Sequence, residues 1–96
     1  MTLDKIIEER SSDYGRYPVH AKTVGSMMES LRDVYIDKNN ISSLSTSTFT
    51  HVEETTLFYI CTKLARIAAS PSHKDSIVDM VNYLRLYHEY KFGEKI

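Results

Sequence analysis

Leu57, Ile60, Cys61, Leu64, Ile67 and Ala68 recur at spacings of three and four, and a Ser70-Pro71 pair then interrupts the pattern. Ile77, Met80, Val81, Leu84 and Tyr87 resume it just beyond. Apolar residues at this spacing form one stripe along a helix, and proline cannot sit in a helix interior without losing a backbone hydrogen bond. Two amphipathic helices joined by so short a break must turn back on each other, which predicts an antiparallel hairpin. Gly93 lies beyond the second stripe as a natural stop.

The same spacing runs upstream. Val24, Met27, Met28, Leu31, Val34 and Tyr35 predict another long helix, with Pro18 suited to its first position. Leu3, Ile6 and Ile7 predict a short first helix that ends near Ser11, where the polar "SSDYGRYP" begins. The segment Asp37–Phe49, "DKNNISSLSTSTF", reads as the longest loop, with a short turn around Ile41–Leu44. Thr50-x-x-Glu53 is a capping box opening the third helix. For the fourth, Ser72-x-x-Asp75 reads as a second box, with Ser70 ahead of Pro71 as the competing start. With three glycines and two prolines in 96 residues, the chain is expected to be all-α. It reads as a single domain over residues 1–96, a small bundle of three long helices plus a short N-terminal one.

Composition excludes more than it selects. Formal net charge is −1, so there is no global electrostatic footprint for duplex nucleic acid. The amphipathic, acidic start is unlike a signal peptide, and no apolar run is long enough to span a bilayer. Cys61 is the only cysteine. It falls inside an apolar stripe, where a buried small hydrophobe is expected. A cytoplasmic protein is the expectation. So is a homo-oligomer, because a chain this short covers its apolar surface poorly alone.

Four charges mark the hairpin. Reflection about the break pairs positions whose numbers sum to about 141 or 142, bringing Arg66 toward Asp75 and Lys63 toward Asp79. Lys63 and Arg66 share one helical face, as do Asp75 and Asp79. The quartet reads either as two surface ion pairs, each contributing about 0–1 kcal/mol, or as the wall of a polar site. In the second case the carboxylates hold Mg²⁺ and the bases contact phosphate oxygens. Tyr83 lies one turn past Asp79 and would border that site, whereas Tyr87 and Tyr90 suit packing or an oligomer contact. The four histidines lack zinc-ligand spacing, and no P-loop, nucleophile elbow or dinucleotide fingerprint is present.

The ordered segments "EERSSDYG" with a following His, "KLARI" and "DSIVDMVNYLRL" resemble a small uncharacterised domain widespread in bacteriophages and prophages. The matching positions are Glu9, Arg10, Tyr14, Gly15, Lys63, Arg66, Asp75, Ser76, Asp79 and Tyr83, with His20 at a polar position of that domain. More remotely, the pattern is similar to the all-α MazG-like and dUTPase-like nucleotide pyrophosphohydrolases. The resemblance implies a phage-encoded protein acting in the host cytoplasm. It also implies a nucleotide or other phosphate-bearing ligand at Lys63, Arg66, Tyr83, Tyr14 and His20, and a metal site for Mg²⁺ at Asp75, Asp79 and Glu9. The implied chemistry is metal-assisted cleavage between the α- and β-phosphates of a nucleoside triphosphate. Those enzymes carry E-E-x-x-E, however, and here Glu53-Glu54 is followed three residues later by Leu57. The expectation is therefore either a degenerate pyrophosphohydrolase or a non-catalytic protein that sequesters a nucleotide signal or inhibits a host protein through a helical surface. A purely structural oligomer laced by the quartet is the third class.

Overall fold

The computed structural model describes residues 2, 3, 5, 6, 14–41 and 49–96. Among them are three long helices and no strand: α1 (Tyr17–Asn39), α2 (His51–Ala69) and α3 (Lys74–Phe92). The expected all-α architecture is present. The expected short N-terminal helix is not among the described elements: only Leu3, Lys5 and Ile6 of it are described, with helical backbone, and the Ile6 amide donates to the Thr2 carbonyl at 3.2 Å. Its expected end at Ser11 lies outside the described residues, as do Glu9, Arg10 and most of the Ile41–Leu44 turn.

Each helix terminus has a local cause. Arg16 precedes α1 in an extended conformation, and Pro18 occupies the first turn, where its missing N–H costs nothing. The helix runs on to Asn39, past the Asp37 at which the loop was expected to begin. It stops where Asn40 adopts a left-handed conformation, φ 53°, which asparagine tolerates better than most residues. Thr50 and Glu53 form the expected capping box: the Thr50 hydroxyl accepts from the Glu53 amide at 3.2 Å, and the Glu53 carboxylate accepts from the Thr50 amide at 2.9 Å. Glu53 also pairs with Lys91 on α3. Those partners, Lys91 foremost, hold its carboxyl below the usual range.

The start of α3 corrects the sequence reading. Neither Ser72 nor Ser70 caps it; His73 does, its Nδ1 accepting from the Ser76 amide at 3.3 Å. The reason is the turn before it. The His73 amide donates to the Ser70 carbonyl at 2.9 Å, so Pro71 and Ser72 are spent as the turn's middle. His73 is the first residue whose side chain reaches an unpaired amide of the new helix. Gly93, at φ 68°, ends α3 as expected.

The helices pack in series. α2 contacts both neighbours, and among the described residues α1 and α3 do not pack on each other. The core between α1 and α2 is Val24, Met28 and Cys61, with Met27, Leu31, Leu57 and Ala65 packed against it. Cys61 is buried there as an apolar residue, and burial pushes its thiol pKa up, away from nucleophilic chemistry. An Arg32–Glu54 ion pair also joins α1 to α2. The expected hairpin register between α2 and α3 holds: Tyr59 stacks on Tyr83 at 4.8 Å and Lys63 pairs with Asp79 at 2.9 Å. Both pairs of numbers sum to about 142.

Replacing Thr50 with Ala removes one half of the capping box and should lower unfolding stability by about 1 kcal/mol, with Thr50→Ser close to wild type. Urea unfolding followed by circular dichroism measures both. Equal stability of the alanine and wild-type proteins would show that the cap is energetically silent.

Candidate functional site

The hairpin's closed end gathers side chains from four places. Tyr14 precedes α1, and Gly15, with φ 83°, turns the chain into the helix through a conformation that disfavours any Cβ. His20 lies in the first turns of α1. Arg66 comes from the last turn of α2, and His73 caps α3. The Arg66 guanidinium carbon lies 4.5 Å from the centroid of the Tyr14 ring, and that ring meets His73 edge-on at 5.3 Å. His73 is held in turn by Ser76, a buried residue whose Oγ lies 2.8 Å from Nδ1. Because the Ser76 amide donates to Nδ1, the neutral His73 ring carries its proton on Nε2.

Arg66 departs from its expected pairing. It does not bridge Asp75; among the described residues no carboxylate pairs with it. The Tyr14 ring takes one face of the guanidinium instead, a favourable placement for a planar, weakly hydrated cation. Its Nε is buried without a hydrogen-bond partner, and so is Nδ1 of His20. Orphaned buried nitrogens are costly and uncommon. The two residues also sense each other: burial first, and then the positive charge of Arg66, hold the His20 imidazole below its ordinary pKa of 6.5. At neutral pH, His20 is therefore uncharged beside a fixed cation.

The other expected site residues divide. Lys63 and Asp79 form their ion pair, with the lysine side chain 12% exposed and the aspartate 44%. The carboxylate thus sits nearer the solvent while the lysine stem lies along the helices. Tyr83, stacked on Tyr59, lies one turn from that pair, as the spacing required. Asp75 is exposed in the first turn of α3. Glu9 lies outside the described residues. No group of three or more His, Cys, Asp or Glu capable of holding a metal occurs among those described.

His73 was missed by sequence reasoning because a histidine cap carries no motif. The sole available signal was its position at the hairpin turn, between Arg66 and Asp75. The arrangement as a whole can offer a half-buried cation, a neutral imidazole and an aromatic wall to a planar or oxyanionic group.

Among the described residues the fold is all-α, and its helical hairpin closes on a basic and aromatic cluster. Residues 2–91 match the family described as a domain of unknown function (DUF6378), and the chain belongs to that family. No curated protein and no solved structure matches the chain. Among the described residues, no helix is long and apolar enough to cross a membrane.

The depressed His20 pKa has a definite sign. Between the folded value and 6.5 the unfolded chain binds more protons, so this group's contribution to stability is present above 6.5 and is lost as pH falls through the folded value. NMR titration should place the His20 midpoint below 6.5, and Arg66→Gln should raise it only part of the way, because burial is the larger cause. A wild-type midpoint at or above 6.5 would remove the electrostatic link between these two residues.

Proposed function

We propose that this protein binds a phosphate-bearing small molecule of the nucleotide class at the closed end of the α2–α3 hairpin. The observation that carries the reading is the pair of unsatisfied buried nitrogens, Arg66 Nε and His20 Nδ1, on two residues in electrostatic contact. A phosphate oxygen accepts from the Arg66 guanidinium, and from His20 in the tautomer that carries its proton on Nδ1, and neutralises the charge that the protein leaves unpaired. Tyr14 covers one face of the guanidinium, so the ligand approaches its N–H edge, the geometry that suits oxyanions. Lys63 and Tyr83 extend the same site along the hairpin, Lys63 as a second cation and Tyr83 as an aromatic border.

Magnesium is the reading's finer part. Asp79 and Asp75 are one turn apart, and two carboxylates with water and substrate phosphates suffice for this ion. Asp79 would first have to release Lys63, to which it is bonded at 2.9 Å. A phosphate that draws the ammonium away would free the carboxylate in the same event. Binding precedes any such exchange, so ligand capture is the primary function proposed, and pyrophosphohydrolysis is its proposed extension.

Isothermal calorimetry with nucleoside mono-, di- and triphosphates, with and without Mg²⁺, tests this. Saturable heat is expected for at least one of them. Arg66→Gln should weaken binding by tenfold or more, and Arg66→Lys should recover only part of it, because a lysine lacks the planar fork. Chromatography of the same mixtures separates a binder from an enzyme by the presence of nucleoside monophosphate product. Silence across the panel, or affinity indifferent to Arg66, sinks the reading.

A further inference from the structure

Only one edge of the His73 ring is occupied. Its Nδ1 accepts from the Ser76 amide at 3.3 Å and lies 2.8 Å from the Ser76 hydroxyl oxygen. Ser76 is 1% exposed, so this edge of the ring is fixed against the interior of the hairpin. An imidazole whose one nitrogen accepts carries its proton on the other. That proton is on Nε2, and among the described residues no hydrogen bond engages Nε2.

Capping α3 does not account for the whole ring. Asparagine, aspartate or serine caps a helix through a single acceptor atom, and His73 does the same through Nδ1. The Nε2 edge has no part in that role. Tyr14 places the ring beside Arg66. It meets the imidazole edge-on, with 5.3 Å between centroids and 85° between planes, and the Arg66 guanidinium carbon lies 4.5 Å from the same tyrosine centroid. One aromatic ring thus gathers a cation from α2 and a neutral N–H donor from the head of α3. The buried Nε of Arg66, with no hydrogen-bond partner, shows the same cluster to be short of an acceptor.

We propose that the Nε2–H of His73 is a ligand-contacting donor of this cluster and that Ser76 is its positioning residue. The proposal rests on the reading of the cluster as a phosphate site and adds to it a residue that capping alone does not explain. Arg66 supplies charge. His73 supplies a neutral hydrogen bond whose direction a buried hydroxyl sets from behind. A phosphate group carries several acceptor oxygens, so it takes donors from both arms of the hairpin together. An imidazole already locked in one tautomer and one orientation has less freedom to lose when the ligand arrives.

Two substitutions separate the roles of His73. In His73→Asn the side-chain oxygen stands where Nδ1 stood, so the cap survives and the Nε2 donor is gone. In His73→Gln the amide nitrogen reaches toward the Nε2 position, so the donor is kept and the cap is lost. Calorimetry with inorganic phosphate and with nucleoside mono-, di- and triphosphates should show His73→Asn binding about fivefold or more weakly, the loss of one hydrogen bond, with the melting temperature not lowered. His73→Gln should keep more of the affinity and melt lower. The ring ¹⁵N spectrum of wild-type His73 should show one tautomer, protonated at Nε2. Saturation with whichever of these phosphates binds should shift that N–H, a result that does not depend on any variant folding. Ser76→Ala should bring the second tautomer into the spectrum and weaken binding less than His73→Asn does. The two failures are distinct. No saturable heat from the wild type removes the phosphate reading itself. Wild-type binding that Arg66→Gln weakens and His73→Asn leaves intact, or a His73 N–H unmoved at saturation, overturns the role of His73 and leaves that reading standing. A single tautomer in Ser76→Ala overturns the role of the serine.

Discussion

Among the described residues the fold is built on α2. α1 and α3 pack on it and not on each other, so α2 must present an apolar surface to α1 and a compatible surface to α3 at once. Its stripe meets the first demand with Leu57, Cys61 and Ala65 against Val24, Met28 and Leu31. The second contact is of a different kind. It is made by a stacked tyrosine pair, an ion pair and the Glu53–Lys91 bridge. The α2–α3 contact thus adds specific polar and aromatic pairs that fix its register.

Arg66, Tyr14, His20 and His73 come together because the last turn of α2, the first turns of α1 and the cap of α3 converge at one end. Among the described residues the buried apolar core is Val24, Met28 and Cys61, and small domains bury little surface beyond what stability needs.

Membership of a family of unknown function leaves the chemistry to be argued from side chains. The strongest argument concerns Arg66. An arginine opposite an aspartate on paper is an ordinary surface pair. An arginine under a tyrosine ring, beside an imidazole held neutral by burial and by the arginine's own charge, is a different arrangement, and it is the one the proposal of a phosphate ligand rests on. Only the first of these was written in the spacing of Lys63, Arg66, Asp75 and Asp79.

The local structure was legible because its causes are local. Periodicity located all three long helices, proline and glycine marked their limits, the Thr50–Glu53 box depends on side chains three residues apart, and the Lys63–Asp79 and Tyr59–Tyr83 register follows from the length of one turn. The tertiary structure alone decided the rest. His73 displaced the serines as a cap because a turn hydrogen bond consumed them. Arg66 abandoned Asp75 because Tyr14, more than fifty positions earlier, is brought over it by Gly15. Which face of each helix meets a neighbour depends on where three cylinders lie in space, and no periodicity within one helix carries that information.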